Sequence, residues 1–112
     1  MTTATATIPH EFSRLQRLYT AGFQNNFLDT AVHKIITHQM TRDEEDLLQV
    51  NTDIAQYESQ YNMDSAVFWP QYQQGKLDDT ADFMEWHVLC KSRQRIEKRL
   101  AILHSENIHA TD

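Results

Sequence analysis

The sequence predicts an all-α protein: a long antiparallel helical hairpin with a short helix at the bend and an extra N-terminal helix. Three observations predict this class. The 112 residues include only two glycines and two prolines, whereas a β-sandwich or barrel needs turn residues about every ten positions. The stretch from Phe27 to Tyr61 contains neither glycine nor proline. Apolar side chains recur along the chain at steps of three and four residues, the period of a helix.

The first two helices follow from local signals. Pro9 suits the first turn of a helix, because the N–H that it lacks would have no partner there, and an apolar stripe follows until Gly22. The next helix is predicted over residues 27–61 as one continuous element, since no strong breaker divides it. From Leu47 onward its apolar residues alternate steps of three and four, the spacing of a coiled-coil seam.

A short helix is predicted next, over residues 66–74. Gly75 would close this helix in a left-handed conformation. Pro70 lies inside it, so either the helix is distorted or its regular part begins near Trp69.

The last helix is predicted to run to about residue 104. Asp78 or Asp79 is expected to cap it, with Asp79 and Asp82 at capping-box spacing. Because consecutive elements usually pack side by side, the two long helices should be antiparallel.

One helical domain is expected over residues 8–106, since this length fits a single domain. Residues 1–7 are expected to be a disordered N-terminus and residues 107–112 a flexible tail. A two-helix core leaves an apolar stripe that one chain cannot bury, so we expect a homodimer that forms a helical bundle.

The charged residues form two blocks. The net charge is −6, which opposes tight nucleic-acid binding by the whole surface. Residues 43–58 carry acids and no base, whereas residues 91–99 are mostly basic. The hairpin would place these blocks alongside each other. Whether the acidic helix is free or paired within the chain is left open.

No catalytic residue, metal site or cofactor is predicted, and the chain is not expected to be an enzyme. His87 and Cys90 share a helical face, but a tetrahedral zinc site needs two further ligands, so ordinary packing is favoured. The single cysteine excludes a disulfide framework within one chain and leaves its reactivity open. No apolar run approaches the roughly 20 residues that span a bilayer, so a cytoplasmic protein without membrane contact is expected.

Capping, aromatic and glycine residues surround the predicted bend: Tyr61-Asn62-Met63-Asp64-Ser65, Phe68, Tyr72, Gly75-Lys76-Leu77-Asp78-Asp79, Asp82-Phe83 and Glu85-Trp86. This series resembles a family of small helical prokaryotic proteins, frequent in cyanobacteria and archaea. Their pattern is a long helix ending in Tyr-Gly-Met-Ser-Ser, a short helix ending in Gly-x-Leu-x-Asp, then Asp-Phe-x-Glu-Trp. Many members look like the antitoxins of toxin–antitoxin pairs.

The resemblance covers residues 27–103 and is tightest over residues 61–86. It implies structural roles, as helix caps and an aromatic lock, for seven residues: Tyr61, Gly75, Asp79, Asp82, Phe83, Glu85 and Trp86. Asn62 stands where the family often has glycine, and asparagine also tolerates the left-handed conformation. The first 26 residues fall outside the match and could form a separate interaction helix.

The leading functional hypothesis is a non-catalytic, antitoxin-like protein-binding module. Its acidic, amphipathic helix would mask a basic toxin such as a ribonuclease by helix-in-groove contact, and tryptophans often dominate such interfaces. The predicted partner-binding residues are Asp43, Glu44, Glu45, Asp46, Trp69 and Trp86.

Two alternatives remain. A nucleic-acid-associated regulator would use a basic stripe on the last helix, formed by Lys91, Arg95, Lys98 and Arg99. A structural homo-oligomer would need no further partner.

Overall fold

The computed structural model describes residues 7–105, and within that range the chain is helical without strands. The described residues form four helices: α1 (His10–Thr20), α2 (Asn26–Tyr61), α3 (Ser65–Gln73) and α4 (Ala81–His104). The predicted all-α class, with the α2–α4 hairpin, the short helix at its bend and the N-terminal helix, is confirmed. The predicted tails, residues 1–7 and 107–112, lie outside the described residues apart from Thr7.

The chain divides into two compact units, with the division after Ile35, inside α2. Unit 1 covers described residues 7–35 and holds α1 with the start of α2. Unit 2 covers described residues 36–105 and holds the rest of α2 with α3 and α4. Two compact units can fold together as one domain, so the single domain expected over residues 8–106 stays a prediction.

Unit 1 is a pair of helical segments joined by a short turn. The backbone carbonyl of Pro9 accepts a hydrogen bond from the N–H of Phe12 at 3.0 Å at the start of α1. The helix ends before Gly22, whose φ of +92° lies in the left-handed region that glycine adopts without a steric penalty. The side chain of Asn25 then accepts a hydrogen bond from the N–H of Leu28 at 2.8 Å. This is the arrangement of an N-cap for α2.

Unit 2 contains the hydrophobic core. Ile54 from α2, Phe68 from α3, and Trp86 and Cys90 from α4 form one buried cluster. The rings of Phe68 and Trp86 stack with centroids 3.9 Å apart and planes 3° from parallel. The core therefore lies where the short helix meets the two long ones, and it fixes the bend of the hairpin.

The ends of α2 and α3 follow the predicted turn chemistry. The α2 helix is continuous from Asn26 to Tyr61, as expected. Asn62 (φ +50°) and Gly75 (φ +75°) both adopt the left-handed conformation just after a helix. Pro70 lies inside α3, which begins earlier than Trp69.

The N-cap of α4 differs from the prediction. Thr80, not an aspartate, precedes the helix with extended backbone, and its hydroxyl oxygen accepts a hydrogen bond from the N–H of Phe83 at 3.1 Å. Asp79 and Asp82 instead accept hydrogen bonds from tyrosine hydroxyls. The expected Asp79–Asp82 capping box is therefore wrong.

Candidate functional site

Asp43 is inside the hairpin and paired with α4. Its side chain is 1% exposed and receives two hydrogen bonds from the Arg99 guanidinium, Nη2 to Oδ1 at 2.9 Å and Nε to Oδ2 at 3.2 Å. Gln39 Nε2 donates a third, at 3.1 Å. The Arg99 guanidinium, against the opposing effect of burial, holds the pKa of Asp43 below its ordinary value.

This pair corrects one predicted partner-binding residue. Asp43 is covered and engaged within the chain, so it is not a surface for a partner. The Arg99 guanidinium pairs with this carboxylate, and these hydrogen bonds raise the pKa of Arg99, but its side chain remains 47% exposed. The sequence did carry a signal, because Asp43 lies four residues before Leu47 and so continues the apolar seam of α2.

The remaining predicted acids of α2 face outward. Glu44, Glu45 and Asp46 are all exposed, and Glu44 Oε2 lies 3.6 Å from His104 Nε2 in a half-exposed pair. Farther along the block, Glu58 has a structural role that the sequence did not reveal. Its Oε2 accepts the backbone N–H of Ser65 at 2.8 Å, at the first residue of α3.

Trp86 is a core residue, which corrects its predicted role at a partner surface. Its side chain is 0% exposed, stacks on Phe68, and donates from Nε1 to the Ser65 hydroxyl at 2.9 Å. The Trp86 ring is thus packed, and its single N–H donor is hydrogen-bonded, inside unit 2.

Trp69 lies in a different setting from Trp86. It is half-buried and lines a groove of about 560 Å³ between α3 and α4. The other lining residues are Tyr72, Gln73, His87, Lys91 and Gln94. Of the two predicted tryptophans, Trp69 is the one that retains an accessible surface.

Tyrosine hydroxyls tie the bend of unit 2 together. Each of three tyrosines donates to a carboxylate at 2.5 Å, in the pairs Tyr57–Glu85, Tyr61–Asp82 and Tyr72–Asp79. In unit 1, Tyr19 donates to Asp29 at 2.8 Å. The hydrogen bond to each carboxylate raises the pKa of Tyr57, Tyr61 and Tyr72, to about 12 for Tyr57.

The acceptors in these three pairs, Glu85, Asp82 and Asp79, all belong to the motif that resembles the antitoxin family. The resemblance implied capping roles for Asp79 and Asp82, but both act as acceptors for tyrosine. The pairs in the α2–α4 hairpin join residues more than twenty positions apart, so no local spacing could have indicated them. Only Tyr72 and Asp79 lie within one short stretch.

The basic stripe of α4 is mostly exposed. Lys91, Arg95 and Lys98 are on the surface, and Arg95 Nη2 donates to the Ser92 hydroxyl at 3.3 Å. All four residues predicted to contact nucleic acid therefore remain accessible, although Arg99 is also paired with Asp43.

Unit 1 exposes much of its apolar surface. No described residue of this unit is buried. Its exposed large apolar side chains are those of Ile8, Phe12, Leu18, Phe23, Phe27 and Ile35. Phe12, Leu15, Tyr19 and Val32 line part of an open groove of about 1000 Å³ within this unit.

Cys90 is shielded in the core, and burial raises the pKa of its thiol. A thiol of this kind reacts slowly at neutral pH, because the thiolate is the nucleophile. Among residues 7–105 no group of three or more His, Cys, Asp or Glu side chains is arranged to hold a metal ion. Over the same residues, no helix has the length and apolar character needed to cross a membrane.

Comparison with protein-family models, curated proteins and solved structures gives no match. The resemblance to antitoxins thus depends on the motifs around the bend alone and stays a prediction.

Proposed function

We propose that this chain is a non-catalytic protein-binding module whose principal contact surface is the apolar surface of unit 1. The observation that carries the proposal is the exposure of large apolar side chains in a unit where none of the described residues, 7–35, is buried. Phe27, for example, is 77% exposed. Concentrated exposed apolar side chains mark interaction surfaces.

The α1 helix has the form of a docking element. Phe12, Leu15 and Leu18 recur at three-residue steps, and Arg14 and Arg17 lie between them, so the helix is amphipathic. A helix of this kind binds by laying its apolar residues in a groove of the partner. Burying one large apolar side chain contributes roughly 1.5–3 kcal/mol.

Site-directed photo-crosslinking tests this surface. A photo-reactive amino acid at position 27 of the full chain should capture a partner, and the same group at Ile102, which is 64% exposed on α4, serves as the matched control. The captured protein is then purified and its affinity measured. Phe27→Asn should weaken binding at least tenfold, as expected for a central apolar contact, while Ile102→Asn should leave binding unchanged.

Equal loss in both variants, or in neither, would contradict the proposal. Capture of a second copy of the chain would identify the partner as the expected homodimer. The helix content of each variant, measured by circular dichroism, separates lost contact from lost folding.

The finer proposal is antitoxin-like action on a basic partner, such as a ribonuclease, in the cytoplasm. It is supported by the three exposed acids of unit 2, Glu44, Glu45 and Asp46. Complementary charges mainly accelerate association, and salt screens the effect. The double variant Glu45→Gln/Asp46→Asn should bind the captured partner more slowly at low salt and normally at high salt. Glu97→Gln, an exposed acid of α4, is the control.

A second candidate function, nucleic-acid binding, is favoured by the exposed cations Lys91, Arg95 and Lys98 on α4. The expected signature is an affinity for DNA or RNA that falls steeply with salt, with a shallower dependence after Lys91→Gln and Arg95→Gln. Absence of binding at low salt removes this candidate.

A further inference from the structure

The open α3–α4 groove of unit 2 has the volume of a small-molecule site and is lined by aromatic and polar side chains. Three of its lining residues, Trp69, Tyr72 and Gln73, come from α3, and His87, Lys91 and Gln94 come from α4. Its volume of about 560 Å³ falls in the usual range of ligand pockets, roughly 300–1,000 Å³.

One wall of the groove is anchored to the core. The Tyr72 hydroxyl donates to Asp79 at 2.5 Å, and the Tyr72 ring lies 5.5 Å from the fully buried Phe68 ring. The centroid of the Tyr72 ring also lies 5.1 Å from that of the His87 imidazole. A ligand would therefore meet a wall that is already ordered, which lowers the entropic cost of binding.

Two polar atoms of the groove residues lack a hydrogen-bond partner. Trp69 Nε1 and His87 Nδ1 are both buried atoms without one among residues 7–105. Unpaired buried polar atoms are rare and call for an explanation. The contrast with Trp86 is direct, because its Nε1 donates to Ser65. An indole N–H can only donate, so Trp69 requires an acceptor.

The charge of the groove residues favours an anionic hydrogen-bond acceptor as the ligand. Lys91 lies one helical turn after His87, and the six described lining residues include one cation and no carboxylate. The carboxamides of Gln73 and Gln94 add further donors. An oxyanion satisfies donors and a positive charge together. The rings of Trp69 and His87, with centroids 6.2 Å apart, add an aromatic surface for a flat apolar body.

We propose that the α3–α4 groove binds a small organic anion that carries a planar ring. The oxyanion, a carboxylate or a phosphate, lies by Lys91, and the ring packs against Trp69 and His87. Binding reorients the Trp69 indole so that its N–H donates to the ligand. This site belongs to unit 2 alone and does not depend on the protein-binding proposal.

Indole N–H resonances of the ¹⁵N-labelled full chain test the proposal. The chain has two tryptophans, so Trp69 reports on the groove and the core residue Trp86 is an internal reference, with assignment from the Trp69→Phe spectrum. The probes are benzoate against neutral benzamide, and adenosine monophosphate against neutral adenosine. At least one anion should shift the Trp69 resonance saturably and leave Trp86 in place. The anion that does so distinguishes a carboxylate from a phosphate ligand.

Lys91→Gln provides the decisive variant, because it removes the cation from an exposed position. The dissociation constant of the binding anion should rise about tenfold, as expected for loss of a charge-assisted hydrogen bond. Lys98→Gln, an exposed lysine of the same helix outside the groove, should change it less than twofold. No saturable Trp69 shift with either anion, equal binding of the neutral analogues, or equal weakening by both variants would overturn the proposal.

Discussion

At the scale of single residues, the Asp43–Arg99 pair connects the two long helices of the hairpin through a buried carboxylate. A buried charge is tolerated only when it is paired and hydrogen-bonded, and Asp43 accepts from both Arg99 and Gln39. Removal of one partner leaves the other uncompensated. The pair also joins residues 56 positions apart in the chain, so it specifies the register of α2 against α4.

Asp43→Asn should destabilise the protein more than Asp46→Asn, whose side chain is exposed. The pKa of Asp43 is lowered by folding, so its stabilising contribution is present above the ordinary carboxyl pKa, about 4, and is lost as the pH falls through the lower folded value. Urea midpoints at neutral and acidic pH measure this. The gap between wild type and Asp43→Asn should close as the pH falls below about 4. A gap that persists in acid would contradict the assigned cause.

Tyr57 should change the stability of the protein in the opposite direction with pH, because folding raises its pKa. Its hydrogen bond to Glu85, followed by desolvation and the Glu85 charge, raises its pKa from 10.0 to about 12. The stability that it contributes is therefore fully present below pH 10 and is lost as the pH rises from 10 toward 12. Alkaline titration by tyrosinate absorbance should show a late-ionising group that disappears in Tyr57→Phe. In Glu85→Gln that group should ionise earlier.

At the scale of elements, the start of α4 depends on Thr80. Loss of a side-chain N-cap costs about 1 kcal/mol, with a range of roughly 0.5–2 kcal/mol. Thr80→Ala should therefore lower the free energy of unfolding by about that amount in a urea titration. Asp78→Ala, at the exposed acid first considered as a cap, should have little effect. A larger loss from Asp78→Ala would show that the cap is misassigned.

The course and ends of a helix could be predicted from the sequence where the local residues allow only one conformation. The continuity of α2 followed from the lack of a breaker, and the turns at Asn62 and Gly75 followed from their tolerance of positive φ. The cap of α4 was not predictable, because Asp78, Asp79 and Thr80 all satisfy the same local preference. In the structure Asp79 is engaged elsewhere, since its carboxylate accepts the hydrogen bond from Tyr72.

The candidate site was less predictable than the fold. The charge blocks indicated that acids and bases would meet, but block composition does not show which acid faces inward. Trp86 illustrates the same limit, because a tryptophan at a bend suits both a core and a binding surface. The lack of a hydrogen-bond partner for Trp69 Nε1 could not be predicted from the sequence, because the acceptors available to a buried N–H come from all the helices packed around it.

At the scale of the whole molecule, the buried hydrophobic residues of the described range 7–105 all lie in unit 2. Phe68→Ala should cost about 3–5 kcal/mol, as for other large-to-small core changes, which is a large share of a typical stability of about 5–15 kcal/mol. Phe27→Ala, at the most exposed apolar side chain of unit 1, should stay within about 0.5 kcal/mol. Denaturant unfolding followed by circular dichroism compares the two. Comparable losses would mean that unit 1 is packed more tightly than its exposure indicates.

The position of Cys90 allows the opening of the core of unit 2 to be measured by thiol labelling. Cys90 is 1% exposed and belongs to the buried cluster with Ile54, Phe68 and Trp86, so a thiol reagent reaches it only when this cluster opens. The chain has no other cysteine, so every modification event reports this one opening. When reclosing is faster than labelling, the labelling rate gives the free energy of that opening. Labelling at increasing urea would then show whether the bend opens alone, at low cost, or only when the entire hairpin unfolds.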